Sequence, residues 1–160
     1  MNELINILKY RLVWLNFLLS FVFTVLSFYF FEVSALLFVL LSNLFDILGY
    51  HFSLIRRTKQ LPEKIIIRSY RINQLMYDVL LLIIIGIQFD WIAAIAGWIM
   101  KLFGLQDILY YLFLEKKLPL NWHWMKWTPL GWFKGNLNRN EIIVQALIGI
   151  LVAVLLLILR

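Results

Sequence analysis

The chain has 160 residues, 63% of them hydrophobic and 15% charged, with a formal net charge of +6 and a mean hydropathy of +0.85. Soluble domains run near ~45–50% apolar and ~25% charged, so the composition excludes a soluble globular core and points to a membrane protein. The absence of cysteine excludes a disulfide framework, a cysteine-ligated metal and a thiol nucleophile.

The first apolar run follows Lys9 and Arg11 and covers 11–31. It is too long and too aromatic for a signal-peptide core and no small-residue cleavage motif follows it, so it reads as a retained helix. Asn16, Ser20, Thr24 and Ser27 recur at helical spacing and form one polar face. A tight turn at Glu32–Ser34 leads into a second span, 34–55, carrying Asn43, Asp46, Tyr50 and Ser53 on one stripe.

After a basic connection, a third span at 72–89 carries Gln74 and Asp78 in line with Arg71. A turn at Asp90 opens a fourth, 91–114. There Ala93, Gly97 and Lys101 share a face suited to close helix packing, and Asp107 and Tyr111 share another with Gly104. The loop 118–133 holds four of the seven tryptophans, Trp122, Trp124, Trp127 and Trp132. Tryptophan favours the headgroup region, so this loop reads as an interfacial anchor or as a lid through which His123 and Lys126 reach a substrate. The fifth span is 141–159, with Glu141, Gln145 and Gly149 on its polar face.

The expected fold is therefore all-α, a polytopic transmembrane helical bundle of about five spans in a single domain over 1–160. Thirteen of the fifteen basic residues fall on the side of the N-terminus, Arg160 falls on the other, and Lys101 lies within a helix. This asymmetry places the N-terminus in the cytoplasm and the C-terminus opposite, in what we expect to be the plasma membrane. The same charge attracts anionic headgroups. It is spread over three short loops, which argues against nucleic acid as a partner.

The segment from Asp46 to Phe52, DILGYHF, matches DILYYLF from Asp107 to Phe113 at an offset of 61, and Leu-Pro pairs follow both. The offset also superimposes Phe28 on Phe89. Two duplicated helical hairpins plus one C-terminal span account for this pattern.

Asp46, Asp78 and Asp107 lie at a common depth, about 9–14 Å inside the cytoplasmic boundary at 1.5 Å rise per residue. Ionisable groups in hydrocarbon are costly and mark function. The three are the candidate catalytic residues, with Tyr50, Tyr111, Arg71 and His123 as candidate substrate-binding groups. As oxygen ligands the carboxylates suit a divalent cation such as Mg²⁺; crowded together, one carboxyl could instead be held neutral as a general acid. A metal site built on His51 and His123 is disfavoured, because His51 lies roughly 140° round the helix from Asp46.

Three functions follow. The chain is an enzyme acting on a membrane lipid or isoprenoid, a non-catalytic subunit of a larger membrane complex, or a small proton- or cation-coupled transporter working as an oligomer. Membrane lipids, a second copy and another membrane protein are the partners these imply. No P-loop, G-x-S-x-G or H-E-x-x-H motif is present.

Overall fold

The computed structural model describes residues 8–49 and 63–160, with side chains described from residue 69 in the second segment. Tyr50, His51 and the last turn of the span expected at 34–55 lie outside the described residues.

The architecture is all-α apart from one short ribbon. The helices are α1 (Arg11–Ser27), α2 (Ser34–Gly49), α3 (Glu63–Gln88), α4 (Trp91–Leu102), α5 (Leu105–Phe113), α6 (Pro129–Lys134) and α7 (Arg139–Ile158). A 3-10 turn, Phe31–Val33, joins α1 to α2. Strands β1 (Asn121–Trp122) and β2 (Leu137–Asn138) pair antiparallel.

Among the described residues, three helical stretches are long and apolar enough to cross a membrane: Phe31–Gly49, Ser69–Gln88 and Arg139–Ile158. The count is four if α4 and α5 act as one broken span, and α1 is a shorter apolar helix of 17 residues.

The outer surface is greasy and the interior partly polar. On α1, Trp14, Leu18 and Phe21 are exposed, while Asn16, Ser20 and Ser27 are buried. A helix in water does the reverse. In hydrocarbon this arrangement is required, because polar side chains facing lipid go unsatisfied. Helix α7 repeats it: Gln145, Ala146, Gly149 and Ala153 face inward, and Leu147, Leu151 and Leu155 face out.

Helix α4 sits at the centre, packed on α2, α3 and α7. Small residues allow this: a Cβ at Gly97 would stand 2.5 Å from the Ala35 carbonyl oxygen, and one at Gly149 would stand 2.4 Å from Phe103 Cβ. Asp90 caps α4, accepting from the Ala93 amide at 2.8 Å, and pairs with Arg160 at 2.8 Å. Next to this corner, Phe28 and Phe89 meet edge to face at 5.0 Å.

The expected continuous helix over 91–114 is overturned. Helices α4 and α5 meet at a 70° bend. Gly104 adopts φ +91°, a left-handed conformation that glycine takes without strain. Its missing side chain leaves room for Ile142, which would lie 2.7 Å from a Cβ there. The break leaves the Phe103 carbonyl without a helical partner, and Gln145 Nε2 donates to it at 3.0 Å. The bend also makes the two halves of the repeat differ: Asp107 lies in the first turn of α5, just past the break, whereas Asp46 lies within the unbroken helix α2.

The segment 118–133 is not a plain loop. With β2 it forms a folded cap in which Trp122 and Met125 are fully buried with Leu137 and Ile142, and Trp124, Trp127 and Tyr111 pack round them. Trp122 donates to the Pro119 carbonyl at 2.9 Å. Trp132 and Phe133 project outward, 66% and 89% exposed.

Candidate functional site

The site forms where α2 around Asp46, the middle of α3, the end of α4 and the start of α5 meet. Asp46 is buried and accepts hydrogen bonds from three neutral donors. Tyr70 and Gln74 come from α3, the amide at 3.2 and 3.4 Å, and Gln106 comes from α5. Tyr70, Gln74 and Asp78 stand at i, i+4 and i+8 on α3 and so face the same neighbours. The 70° bend turns Gln106 towards Asp46; a straight helix would carry it onward along the α4 axis.

Asp78 pairs with Lys101, and both are buried. Lys101, on the close-packing face of α4, thus finds an acidic partner on α3. A buried ion pair is sustained only when each charge has its partner, since one left alone in a low dielectric costs several kcal/mol.

Asp107 is only partly covered as a residue, yet its Oδ2 atom is buried with no hydrogen-bond partner among the described residues. Neighbouring charges act on it from Asp46, Lys101 and Arg71. Lys101 also acts on Asp46, and Asp78 acts on Asp46. The three aspartates therefore share one electrostatic neighbourhood, although each has a different set of contacts.

The other expected residues divide. Arg71 donates to the Trp124 carbonyl at 3.0 Å and lies 5.3 Å over the Trp127 ring, so it fastens α3 to the cap. Tyr111 packs edge-on against Trp122 at 5.2 Å. His123 is exposed and stands edge-on to Trp124 at 4.9 Å; it takes no part in the aspartates' hydrogen bonds among the described residues. Tyr50 falls outside the described residues.

Among the described residues no group of three or more histidines, aspartates or glutamates is arranged to hold a metal ion. The carboxylate oxygens explain this. Both of Asp46 accept from amides or the phenol, and Asp78 is neutralised by Lys101. This donor set does not fit the expected Mg²⁺ site.

A cleft of about 420 Å³ opens beside the network, between α2 and α3. Phe45, Met76, Tyr77 and Leu80 supply apolar walls, and Tyr70, Asn73 and Gly49 form the polar end. Phe45 and Tyr77 stack at 4.1 Å, fixing one wall.

The sequence alone does not single out Tyr70 or Gln106. Tyr70 precedes the Gln74–Asp78 stripe by one turn, which is a usable signal; Gln106 depends on the break at Gly104, and nothing local announces its role. No protein-family model, curated protein or solved structure matches the chain.

Proposed function

We propose that this is an integral membrane protein that binds a lipid or isoprenoid at an acidic intramembrane site near the cytoplasmic face. One observation carries the reading: the cleft between α2 and α3 has hydrocarbon-lined walls and ends at Tyr70, whose hydroxyl is bound to the buried Asp46. An acyl or prenyl chain matches the walls. A neutral hydroxyl head matches the polar end, where Tyr70 Oη accepts and Asn73 offers an amide; the carboxylates disfavour an anionic head there. With Asp46 behind it, Tyr70 Oη is the atom at which a proton could be held or passed. Asp46 and Tyr70 are then the acid–base pair, with Asp78 and Lys101 keeping Gln74 and the α3–α4 contact in place.

The finer topology belongs to the same proposal. Five crossings, with α4 and α5 as one bent crossing, put the N-terminus in the cytoplasm and Arg160 on the far side of the plasma membrane. The basic asymmetry supports this. Contact between Phe28 and Phe89, which the repeat places at matching positions, supports two duplicated hairpins packed about a common axis.

The test is photolabelling in vesicles with a long-chain isoprenoid alcohol bearing a diazirine. Adducts concentrated on Phe45, Met76 and Leu80, and lost in Gly49→Leu, support the reading. Labelling spread evenly over the outer faces of α1 and α7 overturns it.

A second reading, a non-catalytic subunit of a larger membrane complex, is favoured by the private Asp78–Lys101 pair. It predicts that Asp46→Asn and Tyr70→Phe leave photolabelling and every lipid-dependent signal unchanged.

A further inference from the structure

A second groove, of about 330 Å³, runs between α1, α2 and α5 and shares no residue with the cleft between α2 and α3. Only leucine, valine and phenylalanine line it. Leu15, Leu36 and Leu112 stand at its rim, 39%, 42% and 55% exposed, so the groove opens on the outer surface of the bundle. Water gains no partner in such a space, whereas a hydrocarbon chain fills it.

One end of the groove is basic. Tyr10 and Val13 pack in one cluster with Phe113 and Leu114, so the start of α1 and the end of α5 lie at the same end of the bundle. Arg11 stands one helical turn before Leu15 and on its face. It is exposed, and its side chain makes no hydrogen bond or ion pair among the described residues. Helix α5 stops just past Leu112: Glu115 takes φ 54°, and the Lys116 amide donates back to the Tyr111 carbonyl at 2.9 Å. The segments 9–11 and 115–117 thus bring Lys9, Arg11, Lys116 and Lys117 to this end against Glu115 alone.

The depth is right for a lipid head. Helix α1 has 17 residues, which makes it about 26 Å long, short of a ~30 Å hydrocarbon core. Trp14 is exposed and donates to the Leu8 carbonyl at 2.8 Å. An amphipathic ring of this kind settles at headgroup level. Arg11, almost one turn further out, therefore meets phosphates rather than tails.

We propose that the groove between α1, α2 and α5 holds one acyl chain of an anionic glycerophospholipid, whose head is bound by Arg11 and the adjoining lysines. The chain matches the hydrocarbon walls, and the head supplies the negative charge that this end lacks. A zwitterionic lipid leaves the excess charge unmatched. A second copy of the protein is the poorer occupant, because two copies meeting at this face would bring like charges together. The site does not rest on the cleft between α2 and α3 or on its neutral-headed ligand.

Native mass spectrometry tests it, on the full-length protein released from micelles holding equal amounts of phosphatidylglycerol and phosphatidylcholine. We expect one phosphatidylglycerol retained per chain, preferred about tenfold over phosphatidylcholine. A basic residue near an anionic surface contributes on the order of fivefold in affinity, so Arg11→Gln should lower the preference about fivefold. Lys134→Gln, which removes the same charge from the cap, should leave it unchanged. Leu15→Trp, which fills the groove at its exposed rim, should abolish retention. Equal retention of the two lipids by the unmodified protein overturns the proposal, whatever the variants do. So does an equal loss in Arg11→Gln and Lys134→Gln, which would mean diffuse attraction to the whole face. A lipid-free dimer overturns it too, since a second copy would then cover the groove.

Discussion

Lys101 of α4 and Asp78 of α3 form an ion pair at the centre of the helices, the lysine 2% exposed and the aspartate 8%. Neither charge can reach water without one helix leaving the other. The pair therefore fixes the rotation of α3 against α4, and with it the direction in which Tyr70 and Gln74 point.

Removing one partner should cost about 3–5 kcal/mol, because the other charge stays buried alone. Lys101→Met and Asp78→Leu should each lower the midpoint of unfolding in detergent sharply. The double variant should recover most of that loss. Additive losses in a double-mutant cycle would mean that the two charges do not depend on each other.

The bend at Gly104 makes a second prediction. Gly104→Ala introduces both a positive-φ penalty and a contact with Ile142, so a loss of about 2–4 kcal/mol is expected. Gly135 has φ +77° with open space around it. Gly135→Ala should show only the backbone penalty, of about 1 kcal/mol. Equal costs for the two, measured by chemical denaturation, would remove the packing argument.

Much of this was legible in advance, and the reasons are physical. The inward polar face of α1 could be read from Asn16, Ser20 and Ser27 because helical periodicity is local and lipid admits only one orientation. Turns at Glu32–Ser34 and Asp90 were legible for the same reason. The break at Gly104 was not, since an isolated glycine in an apolar run also serves close packing, as Gly97 and Gly149 do. What separates the cases is Gln145, distant in sequence. The role of Arg71 was hidden likewise: it shares a helix face with Asp78 but reaches instead for the cap.

The tryptophans should respond unequally to brominated lipids. Trp132 is exposed and Trp122 is enclosed by Met125, Leu137 and Ile142. Trp132→Phe should remove a large share of the lipid quenching with little change in stability. Trp122→Phe should leave the quenching intact and destabilise the fold by about 1–3 kcal/mol, through lost volume and a lost hydrogen bond. The reverse pattern would place the cap the wrong way round.

Orientation can be measured without removing any native thiol, since the chain has none. Single cysteines at Lys117 and Lys134 should react with an impermeant maleimide only from the cytoplasmic side, and one at Tyr29 only from outside. Labelling of both sets from one side would contradict the proposed number of crossings.

The bond from Gln145 to the Phe103 carbonyl carries a consequence for how the chain is made. A ribosome emits α4 and α5 before α7, so the bent pair enters the bilayer with that carbonyl unanswered and Ile142 not yet present to fill the hollow at Gly104. The corner can close only after α7 arrives. Synthesis arrested before residue 139 should leave an intermediate that protease cuts near the bend, and the completed chain should resist. A segment translated after the bend is thus the one that locks the interior, so that a product truncated before α7 is conspicuous to quality control.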